Sequence, residues 1–183
     1  DSVELYPYKE LFKNGLASVM VAHLSVPELE PNVALPSSLS KNIVTDLLKE
    51  KMGFKGLIFT DALNMKGAAN FSSSAEINLE VIKAGNDILL MPEDIPASFI
   101  KLQQAVADST ITKERLDESV EKILKAKYWA GLRNAEPIKL SGLQDDLNGQ
   151  DAEVLHYKLV ENATTLLKNE LDVFPVKDLA QAK

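Results

Sequence analysis

The chain has 183 residues, 45% hydrophobic and 26% charged, with a formal net charge of −7 at pH 7. That length and apolar share suffice for a sizeable core and for one domain or slightly more. Acids and bases are interspersed without a basic stripe, which argues against nucleic acid, and the absence of cysteine removes disulfides, thiolate metal sites and cysteine nucleophiles. Tyr6 to Asn14 reads as a short helix, with Leu11 and Phe12 apolar and Gly15 as a left-handed stop. Ala17 to Leu24 reads as the first strand, and Val19, Val21 and His23 share one of its faces. The segment Ser25 to Leu39 carries Pro27, Pro31 and Pro36 and is expected to be irregular. Ser40 caps a helix through Ile43, Val44, Leu47 and Leu48 that ends at Gly53.

Leu57 to Thr60 is entered through Gly53 and Gly56 and is too short and apolar for a helix, so it reads as a buried parallel strand. Alternation puts Leu57, Phe59 and Asp61 on one face, with the acid at the C-terminal end, where α/β enzymes keep their chemistry. Asp is also a good helix N-cap, and spacing alone leaves both roles open for Asp61. Ser73 and Glu76 have capping-box spacing, opening a helix through Ile77 and Val81 to Gly85. Asp87 to Met91 is the third strand, stopped by Pro92. Phe99, Leu102 and Val106 stripe the next helix. Leu116, Val120, Ile123 and Leu124 stripe another, opened by Thr112, closed by Gly131 and read as a cover with one solvated face. Leu132 to Gln150 is mostly loop, Asp151 opens a last helix, and Thr164 to Lys168 reads as a strand with a polar tail. Strands alternating with helices imply a parallel sheet.

Four words then combine in order and at consistent spacing: Ser18-Val-Met-Val-Ala-His-Leu24, Leu35-Pro-Ser-Ser-Leu-Ser40, Met52 to Met65 with Thr60-Asp-Ala-Leu-Asn64 inside it, and Ala84-Gly-Asn-Asp-Ile-Leu-Leu-Met-Pro92. Together they resemble the nucleophile region of glycoside hydrolase family 3, and Asp61-Ala-Leu-Asn-Met65 resembles its N-acetyl-β-hexosaminidase branch. The β-glucosidase branch tends to place Trp where Ala62 stands. The resemblance implies an α/β fold in which residues 1–132 are the C-terminal portion of a (β/α)8 TIM barrel, its last three βα units with extra helices. Residues 133–150 would be a linker. Residues 151–183 would start a following α/β domain, because Asn162 to Glu170 and Val173-Phe-Pro175 resemble that domain's opening words.

The same resemblance implies that Asp61 is the nucleophile of a retaining glycosidase, forming a covalent glycosyl ester that water opens. It implies sugar-pocket roles for His23 and Met65, against the plainer readings of a packed histidine and a core methionine. The partner acid of such enzymes stands about 5–5.5 Å away when it is a carboxylate. In the hexosaminidase branch it is a His–Asp pair on an earlier loop, for which this chain has no matching segment. The expected function is therefore a segment of a retaining β-N-acetylhexosaminidase acting on β-linked N-acetylglucosamine, as in bacterial peptidoglycan fragments, and inactive on its own. The alternatives are a β-glucosidase or xylosidase of the same family, or a non-catalytic barrel remnant in which Asp61 only caps.

A carbohydrate substrate is the expected partner, with no cofactor or metal. Open barrel edges would be covered by the missing part of the barrel or by a second copy. No Gly-x-Ser-x-Gly elbow or phosphate-binding Gly-x-x-x-x-Gly-Lys occurs, and no apolar stretch is long enough to span a membrane. Asp87 opens its strand and is expected at the stabilising end of the barrel, away from the chemistry. Asp1-Ser-Val-Glu does not read as a signal peptide, the chain is expected to begin inside a longer protein, and its compartment is not legible.

Overall fold

A computed structural model describes residues 3–170, 174 and 175. The chain divides into two compact units, Asp1–Asn134 and Ala135–Lys183. The first unit runs α1 (Tyr6–Lys13), β1 (Ser18–Val21), a 3-10 turn (Ser37–Leu39), a π-helix (Asn42–Lys51), β2 (Leu57–Ala62), α2 (Lys66–Ala69) and α3 (Ser74–Ala84). It continues through β3 (Ile88–Leu90), α4 (Ile95–Ala107) and α5 (Lys113–Trp129) to a final 3-10 turn, Leu132–Asn134. The three strands form one parallel sheet in the order β1-β2-β3.

The sheet's two faces differ in what covers them. Val19, Val21 and Ile58 turn to the helical side, where they join Val44, Phe54 and Ala84, with the Phe12 and Phe54 rings 4.5 Å apart. Leu89 packs against Leu39, Leu63, Ala68, Ile77 and Val81 on that same side. A third cluster, Leu79, Ala105 and Ile111, is completed by Leu102, Val106 and Leu116. Alternation sends Met20, Phe59, Asp61 and Leu90 to the other face, where Met20 is 56% and Leu90 36% exposed. The sheet therefore buries one face and leaves the other half-open, with α5 standing beside it only at Leu57 and Phe59.

The N-terminal ends of the strands are locked by close packing and by charge. At Gly56 an added Cβ would stand 2.4 Å from the Ala17 carbonyl oxygen and 2.6 Å from Phe54 Cζ, so β1 and β2 approach closely only because no side chain intervenes. The Asp87 carboxylate, 0% exposed, accepts from Ile58 N–H at 3.0 Å and Ser119 Oγ–H at 2.5 Å, and pairs with Lys122 at 3.3 Å and Arg115 at 3.8 Å. Lys122 and Lys49 also reach Glu118, at 3.1 and 3.6 Å. Burial, then the Arg115 charge, pull the Lys49 ammonium below its ordinary value. Asp87 thus stands at the end opposite Asp61.

Several local expectations are corrected. The loop after β1 is not wholly irregular, because Pro36 sets the extended start of the Ser37–Leu39 turn. The helix after Ser40 is a π-helix along its length, closed by Met52 N–H to the Leu47 carbonyl at 2.9 Å, and the apolar spacing carries no sign of that wider pitch. The Ser73–Glu76 capping box does not form: Ser73 makes no side-chain cap, and Glu76 pairs with Lys101 instead. Phe99 is 61% exposed and outside the stripe its neighbours form. Thr112 does cap α5, accepting from Arg115 N–H at 3.2 Å, yet Val120 and Leu124 lie exposed on that helix.

In the second unit, α6 (Leu143–Leu147) and α7 (Gln150–Ala163) are exposed along most of their length. The strand expected over Thr164 to Lys168 is absent, since residues 164–169 pair with nothing in a sheet and Leu167 is 92% exposed. A segment with no neighbouring strand has no ladder to join, whatever its propensity. Val173 and the remaining polar tail lie outside the described residues.

Candidate active site

The C-terminal ends of the strands gather the residues singled out from sequence. β2 runs two residues further than expected and takes in Asp61 and Ala62. It pairs regularly with β1 from Ser18–Leu57 to Val21–Thr60. Against β3 the register breaks: Phe59 pairs with Ile88 and Ala62 with Leu90, so Thr60 and Asp61 together oppose Leu89. This is a β-bulge, which frees one residue from the ladder and re-aims its side chain. Thr60 Oγ1 repairs the break by accepting from Leu90 N–H at 3.0 Å, and Leu63 N–H reaches the Leu90 carbonyl at 2.9 Å. Neither Thr60 nor Asp61 has a β3 partner, and only Thr60 keeps one on β1, so Asp61 is the residue left unpaired. Its carboxylate is half-buried, follows Leu57 and Phe59 on the open face, and accepts from Ala62 N–H at 2.8 Å through Oδ1.

Asp61 does not cap a helix. The helix that follows, α2, starts from Met65, which makes no side-chain cap. Met65 is 48% exposed at that start, four residues past Asp61. His23 stands two residues beyond the end of β1, while Val19 and Val21 of that strand pack on the helical side. Both ring nitrogens are engaged by the protein, Nδ1 with Ser38 Oγ at 2.5 Å and Nε2 with the Ala62 carbonyl oxygen at 3.1 Å. His156 lies in the second unit. Among the described residues, no three or more His, Asp or Glu side chains group as a metal-binding set, and no helix is long and apolar enough to cross a membrane.

Residues that sequence reasoning passed over hold this arrangement. Thr60 occupies the buried parity of β2, where its hydroxyl would be costly without the Leu90 amide. Ser37 Oγ donates to the Ala22 carbonyl at 2.5 Å and accepts from Leu24 N–H at 3.0 Å. Asn86 Nδ2 donates to the Ser38 carbonyl at 2.8 Å. Glu30 sits beneath the same turn, and the Ser40 hydroxyl, with the Asn32 amide behind it, holds its carboxyl below the ordinary value. A polar residue at a buried strand position and a Ser-Ser pair after a proline were the available signals.

Comparison with known proteins agrees with the four sequence words. Residues 1–126 match the family described as glycosyl hydrolase family 3 N terminal domain. A β-N-acetylglucosaminidase/β-glucosidase of Cellulomonas fimi is 30% identical over 177 residues, covering 92% of this chain and 31% of that protein. β-Hexosaminidase A of Pseudoalteromonas piscicida is 28% identical over 197 residues, covering 97% of this chain and 32% of the other. Among solved structures, a glycoside hydrolase family 3 β-N-acetylglucosaminidase from Paenibacillus sp. str. FPU-7 superposes with a TM-score of 0.80 at 31% identity, over 91% of this chain and 32% of that one. The chain spans about a third of the length of these relatives.

Proposed function

The chain belongs to glycosyl hydrolase family 3, and on that premise we propose that it is the nucleophile-bearing segment of a retaining β-N-acetylhexosaminidase. One observation carries the reading: Asp61 is left without a ladder partner at the C-terminal end of the central strand, on the sheet's less buried face. A retaining glycosidase needs an ionised carboxylate rigidly aimed at the anomeric carbon. Its oxygen attacks that carbon as the leaving-group oxygen takes a proton, and water then opens the ester. Thr60 and the bulge supply the aim, and the open face supplies the access.

In this reading the unit is the last part of a (β/α)8 barrel spanning residues 1–132, followed by a linker over 133–150 and the start of another α/β domain. The exposed Met20–Leu90 face would be barrel interior, closed by the remaining strands or by a second copy. Met65 would line the sugar pocket. The substrate would be β-linked N-acetylglucosamine, as in peptidoglycan fragments. The proton donor would come from elsewhere in the complete protein, so this segment alone would be inactive, short of a contribution typically worth about 10²–10⁴-fold.

A second reading changes only the sugar. The Cellulomonas fimi relative is named for both β-N-acetylglucosaminidase and β-glucosidase activity, which favours keeping glucose as an alternative. Hydrolysis of aryl β-N-acetylglucosaminide and aryl β-glucoside by the complete protein separates the two. Preference for the acetylated sugar supports the first reading, and equal or reversed preference supports the second. Turnover of an unactivated disaccharide by the 183-residue chain would refute the proposal that the segment is inactive alone.

A further inference from the structure

We propose that His23 is a positioning residue for Asp61, acting as an imidazole that carries its proton on Nε2 and touches no sugar; this rests on reading Asp61 as the nucleophile. A carbonyl oxygen only accepts, so the 3.1 Å contact of Nε2 with the Ala62 carbonyl requires the ring proton there. In the neutral ring the Nδ1 lone pair then accepts from the Ser38 hydroxyl at 2.5 Å. Ser38 is 0% exposed and its own carbonyl is held by Asn86, so the ring's partner cannot drift into solvent. Ser37 binds the backbone on both sides of His23, at Ala22 and Leu24.

The strut reaches the nucleophile through one residue. Ala62 gives its N–H to Asp61 Oδ1 at 2.8 Å and takes the His23 proton on its carbonyl. Moving Ala62 therefore moves the donor that orients the carboxylate. The chain after the nucleophile also folds directly over the histidine: a Cβ at Gly67 would stand 3.1 Å from His23 Cβ and 3.3 Å from its carbonyl oxygen. A histidine that hydrogen-bonds a sugar does so through a ring nitrogen, and both of these are spent within the protein.

Two measurements decide the proposal. Long-range proton–nitrogen NMR of the 183-residue chain, with exposed His156 as an internal reference, is expected to show His23 protonated at Nε2 and unprotonated at Nδ1. A proton on Nδ1 alone overturns the strut. In the complete protein, His23→Ala is expected to lower kcat and kcat/KM together, on the order of 10²-fold, the scale of a nucleophile misplaced by about 1 Å. His23→Gln, whose amide can still donate to Ala62, is expected to recover most of that loss. A raised KM with kcat unchanged, in either variant, identifies a sugar contact and overturns the proposal. Activity retained by Asp61→Asn would instead sink the nucleophile reading, while the NMR result still reports on the strut.

Discussion

Asp87→Asn removes a charge from the place where the structure spends most to keep one. The wild-type cluster holds three cations, Lys49, Arg115 and Lys122, against the two anions Asp87 and Glu118. The substitution leaves three cations facing Glu118 alone. Asp87 is 0% exposed at its side chain, while Arg115 and Lys122 retain 19% and 18%. Breaking one partner out of a buried pair typically costs about 3–5 kcal/mol. The residual exposure of the two cations pulls this towards the lower figure. In the other direction, Asp87 Oδ1 takes the Ser119 hydroxyl and Oδ2 the Ile58 amide, and an Asn amide nitrogen can accept neither.

The expected loss is therefore about 3–4 kcal/mol. At an m-value of about 2 kcal/mol/M it lowers the urea midpoint of the 183-residue chain by about 1.5–2 M. Ser119→Ala, which deletes two hydrogen bonds, one donated to Asp87 and one accepted from Arg115, and no charge, should cost about 2 kcal/mol in the same assay. The charge-neutral double variant Asp87→Asn, Lys122→Met should recover part of the Asp87→Asn loss. Asp87 also raises the Lys49 value in the folded protein, so Asp87→Asn should lower it further. An Asp87→Asn midpoint within about 0.5 M of wild type, or no larger than that of Ser119→Ala, would refute the idea that this cluster is held as a buried charge network.

Other outcomes follow from single contacts. Thr60→Val keeps the shape of the side chain but leaves Leu90 N–H without its acceptor, and should cost about 1–3 kcal/mol in urea unfolding; an unchanged midpoint would mean water or another group satisfies that amide. Gly56→Ala forces a Cβ to 2.4 Å from a backbone oxygen that also receives Leu57 N–H, and should cost about 3 kcal/mol or more by splitting β1 from β2; wild-type stability would contradict the close approach. Glu30 has a folded value below its ordinary one, so its stabilisation is complete above the ordinary carboxylate range and is lost as pH falls through the folded value. Glu30→Gln should accordingly flatten the acid limb of a stability–pH curve while leaving its slope near neutrality unchanged, and an acid limb identical to wild type would count against that contribution.

Much of the fold was legible because its signals are local. Gly15, Gly85 and Gly131 end their helices at φ of +80°, +119° and +76°, as their places after apolar stripes suggested. The run Leu57 to Thr60 is the central strand, although only Ile58 and Thr60 of it are fully buried. What could not be read depends on contacts across the chain. The bulge at Asp61 exists only relative to β3, the pairing of Glu76 with Lys101 is set by how α3 meets α4, and the exposure of Phe99 reflects what packs beside α4. For the candidate site, the position of Asp61 on β2 followed from alternation, whereas the partners of His23 did not. They lie fifteen and thirty-nine residues away, and no spacing rule connects them.

The account rests on Asp61 as the attacking group, and trapping its ester tests that most directly. The complete protein would be incubated with a 5-fluoro N-acetylglucosaminyl fluoride, which forms a glycosyl ester faster than water opens it, then digested and mapped by tandem mass spectrometry. The account predicts a single sugar adduct on Asp61, abolished by Asp61→Asn. An adduct on any other carboxylate, or active protein that never acquires one, would contradict it.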